Sequence, residues 1–473
     1  MKLNYAKQLL IFIIVSLILN AFLSPYWGLY ADDWVQVKAA ISVKPPDLVQ
    51  YFINSFIYNG ELRPFRAFEW IIKNLLFRVS NYWGIYCFQA CILSICAWLL
   101  FLILRRYFNF RLAFTVSLLF LLSPIDSTSQ WLATFHWKFS LLFSLWASLE
   151  ALKARWLIAC ILLIFSLLFH EAPIGIFCLV PFLLLYKKQN KQAVTSILSL
   201  VSVFICYVIW RKALAPLYME DFRLSSFLND GNFNLLSSII KFCKRIFYGY
   251  MSVLILPIGI LVWKMNTFYT ILNLLISFVI TKYTQFKIKF QASFSIIVLG
   301  LLTIPFAYWL SLYQAPARHL GMDSKMNLPA SISFAFILFG LISFLSTKIK
   351  NQQISKFLIV FIFGILVNIK FLYQYDYLEA KNIQNSLYAK IQDLNLSNDK
   401  IIIFNKSYDH NKFAIEPIAP YGGPWSAKYT VYPAHHSHLI NKRLFTEIWV
   451  DGACVNKIKS SNLIFLALTA PVQ

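Results

Sequence analysis

Apolar stretches dominate this chain, and they recur at lengths close to the roughly 17–25 residues that a helix needs to cross a bilayer. They fall at 8–24, 83–104, 112–123, 138–152, 156–169, 172–186, 193–210, 265–281, 292–310, 329–346 and 357–372, which predicts eleven spans. The connectors between them are not alike. Those at 1–8, 105–111, 153–155, 187–191, 282–289 and 347–356 are rich in Lys and Arg, and with alternating spans all of them fall on one side. The positive-inside rule makes that side the cytoplasm, so the N-terminus is expected inside and residues 373–473 outside. Stretch 248–264 would reverse every later loop if it crossed, and is read as interfacial or re-entrant.

Composition agrees with the pattern. Of 473 residues 59% are hydrophobic and 13% charged, with a mean hydropathy of +0.63, too little polar surface to cover a soluble domain. The first apolar run follows Lys2 and Lys7 and lacks a small-residue cleavage site, so it is expected to be a retained span. A net charge of +23 suits anionic headgroups or an anionic lipid-linked substrate; no basic soluble domain suggests nucleic acid. The eight cysteines lie mostly inside apolar runs and suggest neither disulfides nor a metal cluster.

The expected division is a membrane module over 1–372, with an outer loop at 25–82, and a small extracytoplasmic domain over 373–473. In that tail "DKIIIFNKS" (399–407) and "NLIFLALTA" (462–470) read as strands around a Pro/Gly-rich stretch, which predicts an α/β unit. His435, His436 and His438 lie close together there, but no Cys or carboxylate at ligand spacing supports zinc, and a surface loop is the expectation.

Candidate chemistry clusters in the loops opposite the basic connectors. Asp32 and Asp33 follow the first span. One aspartate at the bilayer centre costs about 2.5–3.5 kcal/mol, so the pair belongs at the outer interface. There it either simply ends the helix in solvent or splits the work of a site, one carboxylate accepting a proton while the other orients the site or holds a divalent cation such as Mg or Mn. Neighbouring side chains diverge, so one of the two is expected to be the base. Arg63 and Arg66 would share a helix face if one helix carried both, and a guanidinium fork fits phosphate oxygens; Pro64 favours a helix starting there instead, and snorkelling to headgroups is the competing explanation.

The turn "LSPIDS" and the segment after it bring Asp126, Trp131, His136, Trp137 and Lys138 to the same face. Belt behaviour accounts for the tryptophans, while Lys138 at the mouth of a span suits a phosphate. His170 and Glu171 interrupt 31 apolar residues and, with Pro173, mark a tight outer turn between two short spans; ionisable residues at such depth are functional candidates, although such a pair also satisfies itself. Arg318 and His319 add cations at a late outer loop.

The order "YADDW", "ELRPF", "LSPIDS", "LFHEAPIGIF" and "PARHLGMDSKMNLPASISF" resembles the C-type (GT-C) glycosyltransferase superfamily, in particular the bacterial relatives of transmembrane O-mannosyltransferases, over about residues 1–350. The resemblance implies an all-α polytopic membrane fold in a bacterial inner membrane, and transfer of a monosaccharide from a polyprenyl-phosphate donor to an envelope glycan, lipid or protein on the periplasmic face. It implies that Asp32 or Asp33 is the catalytic acidic position of the first loop, a general base or a metal ligand, and it matches Arg63 to the Arg of the Arg-Pro motif, Glu171 to the acidic residue of the later turn and Arg318 to the cation near the lipid phosphate. Asp126 stands where the relatives carry His and Lys138 where they carry Arg, and no tetratricopeptide repeats follow. A polysaccharide ligase or polymerase, a lipid-linked sugar transporter and a non-catalytic assembly factor are the competing readings.

Overall fold

The computed structural model describes residues 5–30, 33–57, 63–214, 235–255, 257–260, 273–274, 277–278, 290–308, 322–349, 351–393, 401–406 and 463–468. Within them run α1 (Tyr5–Ala21), α2 (Asp33–Ser42), α3 (Leu48–Ile57), α4 (Arg66–Arg105), α5 (Phe110–Leu121), α6 (Phe135–Ala151), α7 (Trp156–Phe169), α8 (Leu179–Tyr186), α9 (Asn190–Ile209), α10 (Leu235–Leu254), α11 (Phe290–Ala307), α12 (Ala330–Lys348) and α13 (Gln352–Asp393). Among the described residues five helices are long and apolar enough to cross a membrane: 5–26, 66–105, 190–209, 330–348 and 352–386. Shorter apolar helices at 110–121, 156–169, 172–186 and 293–307 pack beside them. This is the helical, lipid-compatible architecture that the apolar pattern predicts. Span 265–281 lies mostly outside the described residues. So does most of the second half of 248–264, whose first residues continue α10.

The expected loop 25–82 is largely helical. It holds α2, α3 and the first part of α4, which begins 17 residues before the apolar run at 83. Hydropathy misses that part because Arg66, Glu69 and Lys73 depress it. Yet these residues recur at i, i+3 and i+7, share one face and pair with one another. Ser80 and Asn81 then break the helix, Asn81 taking φ 57° and ψ −154°, a positive-φ conformation outside the left-handed helical basin, which side chains rarely adopt. The membrane-crossing half follows that break.

Helix pairs are tight where small or hydroxyl residues face each other, as packing in lipid demands. Ser140 and Ser144 of α6 lie 2.8 and 3.1 Å from Ser166 of α7, and the hairpin between them closes through Ala154 at φ 58°. In the α11–α12 crossing, a Cβ on Gly340 would stand 2.4 Å from Ile297 Cγ1, and one on Gly300 2.7 Å from Ile337 Cγ1. Span 172–186 is not one α-helix. Residues Ala172–Cys178 form a 3-10 helix, and Pro181 lacks the N–H that would bond back to Phe177 and extend α8 towards the turn.

In the tail, β1 (Ile401–Lys406) and β2 (Leu463–Leu468) pair in parallel, Ile401 opposite Leu463. Both strands fall inside the stretches that the residue pattern predicts as strands.

Candidate functional site

The site is built where the end of α1, the starts of α2, α4 and α6 and the α7–α8 turn meet. The chain leaving α1 is fixed before it reaches the acidic pair. Trp27 Nε1 donates to the Gln374 carbonyl (3.1 Å), Tyr30 Oη to the Tyr377 carbonyl (2.6 Å), Tyr86 Oη to the Gly28 carbonyl (2.7 Å) and Trp131 Nε1 to the Tyr30 carbonyl (3.2 Å). Trp131, expected as an interfacial-belt residue, is therefore a buried clamp on this turn. Asp33 follows as the first residue of α2, where a carboxylate suits the helix dipole. It is fully buried, its Oδ2 accepts the Tyr30 N–H at 3.3 Å, and it is near enough to act electrostatically on both Lys73 and Lys138.

Arg63 and Arg66 do not share a face. Pro64 and Phe65 form the turn into α4, so Arg63 lies before the helix and Arg66 opens it. The two guanidiniums face different carboxylates, as Pro64, which favours a helix start, leads one to expect. Arg66 Nε stands 3.8 Å from Glu69 Oε2. Glu69 also binds Lys73 Nζ and lies 3.3 Å from His136 Nδ1. Lys73 in turn donates to the Leu132 carbonyl at 3.0 Å, tying α4 to the 122–134 loop. Glu69 and Lys73 are completely buried.

Arg63 reaches Glu171 through Nη2 at 2.8 Å and Nε at 3.2 Å, both on Oε2. The other oxygen, Oε1, accepts from Arg211 Nη1 at 2.5 Å and Tyr207 Oη at 2.8 Å. Burial alone would push the Glu171 carboxyl up, but the guanidiniums of Arg63 and Arg211 outweigh it and hold the group well below the usual carboxylate range. The His170–Glu171 pair does not satisfy itself. His170 Nδ1 is 4.0 Å from Glu171 and accepts the Ala172 N–H at 3.1 Å. Burial, reinforced by Arg63, pushes this imidazole well below its ordinary value, so it is neutral with its remaining proton on Nε2. Its ring lies against Trp137 at 3.9 Å and near His136 at 5.4 Å between centroids, which joins the Glu69 and Glu171 clusters.

Lys138 is not at a mouth. It is fully buried and donates to Thr134 Oγ1 at 2.6 Å and the Trp131 carbonyl at 3.4 Å, because α6 starts three residues earlier than the predicted span. Asp126 is buried as well, its Oδ1 taken by the N–H and Oγ1 of Thr128 at 2.9 and 2.7 Å. Asp32, Arg318, His319 and the three tail histidines lie outside the described residues. Among the described residues no group of three or more His, Cys, Asp or Glu is placed to hold a metal ion. The seven described cysteines are free thiols.

No protein-family model matches the chain, and no curated protein matches it in sequence. The glycosyltransferase resemblance rests on the motifs alone.

Four members of the network are not singled out by the residue pattern: Glu69, Lys73, Tyr207 and Arg211. For the first two a signal existed, since an acid with bases three residues before and four after it on a half-apolar helix pairs internally. Arg211 had none. It sits in a π-helical turn, Trp210–Leu214, directly after α9, a distortion common at functional sites but not written in the residue pattern.

Proposed function

We propose that the chain is a membrane glycosyltransferase that moves one monosaccharide from a polyprenyl phosphate to an envelope glycan, lipid or protein. The observation that carries this reading is the contiguous buried network from Asp33 through Lys73, Glu69 and His136 to His170, Glu171, Arg63 and Arg211 at one end of an apolar bundle. Buried charges in lipid-embedded helices are costly and mark function more often than stability.

Asp33 takes the proton of the acceptor hydroxyl, whose oxygen then bonds to the anomeric carbon as the bond from that carbon to the phosphate oxygen breaks. The leaving phosphate is stabilised by the surplus of cations, two guanidiniums against one carboxylate at Glu171. A direct displacement inverts the anomeric centre. The prenyl chain stays between helices in lipid throughout. In this reading about eleven spans set the N-terminus in the cytoplasm of a bacterial inner membrane. The site and a small α/β tail built on β1 and β2 face the periplasm, and a divalent cation, if used, is held by Asp32 or Asp33.

The test compares mass spectra of envelope glycans from wild-type, deletion and Asp33→Asn strains, alongside sugar transfer by the purified full chain in liposomes. Loss of one sugar modification in the last two strains, with transfer reduced by about 10²–10⁴-fold, supports transfer. Unchanged glycans in Asp33→Asn refute it and favour an assembly role, whereas continued flipping of the lipid donor without transfer by wild type favours a transporter.

A further inference from the structure

A second polar site lies behind the first, where the 122–134 loop meets α13. The loop is held from several sides: Tyr373 Oη donates to the Pro124 carbonyl at 2.6 Å, Asn327 Nδ2 to the Ile125 carbonyl at 2.6 Å, and the Ser127 N–H to Ser324 Oγ at 3.1 Å. Inside this frame a small cavity of about 10 Å³ has a polar lining of Asn20, Ser123, Asp126, Ser129, Ser331 and Lys370, with apolar walls from residues such as Leu93 and Phe120. That volume is about what one water molecule requires, and a water also needs two to four polar partners.

The lining supplies them. Lys370 is buried in α13 and spends one of its three donors on Ser129 Oγ at 3.2 Å. Asp126 acts on the Lys370 charge, yet among the described residues no direct salt bridge joins the two. Ser123 Oγ is buried in the cavity wall and has no hydrogen-bond partner within the protein. A carboxylate, an ammonium and a hydroxyl thus surround a space of one water, none of them satisfied by the others.

The geometry points to a buried binding site in which Asp126, Lys370 and Ser123 hold a single water molecule that completes an ion pair between the 122–134 loop and α13. The water donates to the carboxylate and accepts from the ammonium, and Ser123 Oγ takes the remaining position. A carboxylate and an ammonium screened by one water remain strongly coupled in such a medium, so Lys370 adds to Lys138 and to the Thr128 hydrogen bonds in favouring the ionised form of Asp126, against the burial that opposes it. This inference is independent of the sugar-transfer reading.

The experiment is infrared difference spectroscopy on the full chain in lipid nanodiscs as a function of pH. With Lys138 still in place, Lys370→Met is expected to raise the pH at which the Asp126 carboxyl stretch appears, a band assigned by its loss in the Asp126→Asn/Lys370→Met double variant, while Lys370→Arg leaves that pH unchanged. An unchanged titration of the band in Lys370→Met, or its persistence in the double variant, overturns the assignment. If Lys370→Met does not fold, a high-resolution density map of the wild type decides. A peak within hydrogen-bond distance of Asp126, Lys370 and Ser123 supports the site, and an empty cavity or a direct Asp126–Lys370 contact overturns it.

Discussion

Glu171→Gln is the most informative single change. The carboxylate receives four hydrogen bonds, two from Arg63 and one each from Arg211 and Tyr207, and its side chain is 9% exposed. Glutamine keeps the size but offers one oxygen and an amide that faces guanidinium. Charge-assisted bonds are worth about 1.5–3 kcal/mol each, but they share one hub and do not add. The better guide is the cost of removing one partner from a buried pair, about 3–5 kcal/mol. Denaturant titration of the full chain in mixed micelles measures this directly. The Arg63→Met/Glu171→Gln double variant removes one stranded cation, so its loss of stability is expected to be at least about 1.5 kcal/mol smaller than the sum of the two single losses. A Glu171→Gln loss below about 1 kcal/mol, or strict additivity, would refute the view that Glu171 organises this end of the bundle.

Other outcomes follow from the same contacts. His170 is neutral in the fold because its pKa is depressed, so its contribution is present above the unfolded value near 6.5 and lost as pH falls below it; unfolding at pH 7.5, 6.5 and 5.5 should show a decline of up to about 1.4 kcal/mol per pH unit, flattened in His170→Asn, whose Oδ1 can still accept the Ala172 N–H. Glu69→Gln should destabilise more than Lys73→Met by at least about 1 kcal/mol, because the first strands a buried ammonium beside Arg66 while the second leaves Glu69 with the Arg66 guanidinium and the His136 ring beside it; equal losses would contradict this. Gly340→Val should cost about 1–3 kcal/mol by overpacking and be partly restored by Ile297→Ala, the side chain it would strike.

What the sequence disclosed and what it hid divide along physical lines. Apolar length located the helices, since crossing a bilayer imposes a minimum that few other folds share. The strands at 401–406 and 463–468 were also legible, as short β-branched and aromatic runs between polar stretches. Long-range pairing was not. Arg63 and Glu171 are 108 positions apart, and nothing in either segment says that the arginine meets that carboxylate rather than a phosphate. The start of α4 was misjudged because hydropathy counts a lysine as polar whether or not a glutamate neutralises it one turn away. Trp131 looked like a membrane-belt residue because an indole suits an interface and a buried carbonyl equally well; only the fold shows that Tyr30 receives its N–H.

Helix α13 runs unbroken for 42 residues, about 63 Å at the usual rise, roughly twice the thickness of a hydrocarbon core. Its C-terminal portion is therefore a stiff rod longer than a bilayer core requires, and on it the Tyr377 carbonyl accepts the Tyr30 hydroxyl while Gln384 Nε2 donates to the Leu29 carbonyl just ahead of Asp33. Any tilt imposed on the far end of that rod arrives at the acidic corner as a displacement of the turn that carries it. A change at the C-terminal end of α13 can thereby be felt at Asp33 without any contact to it.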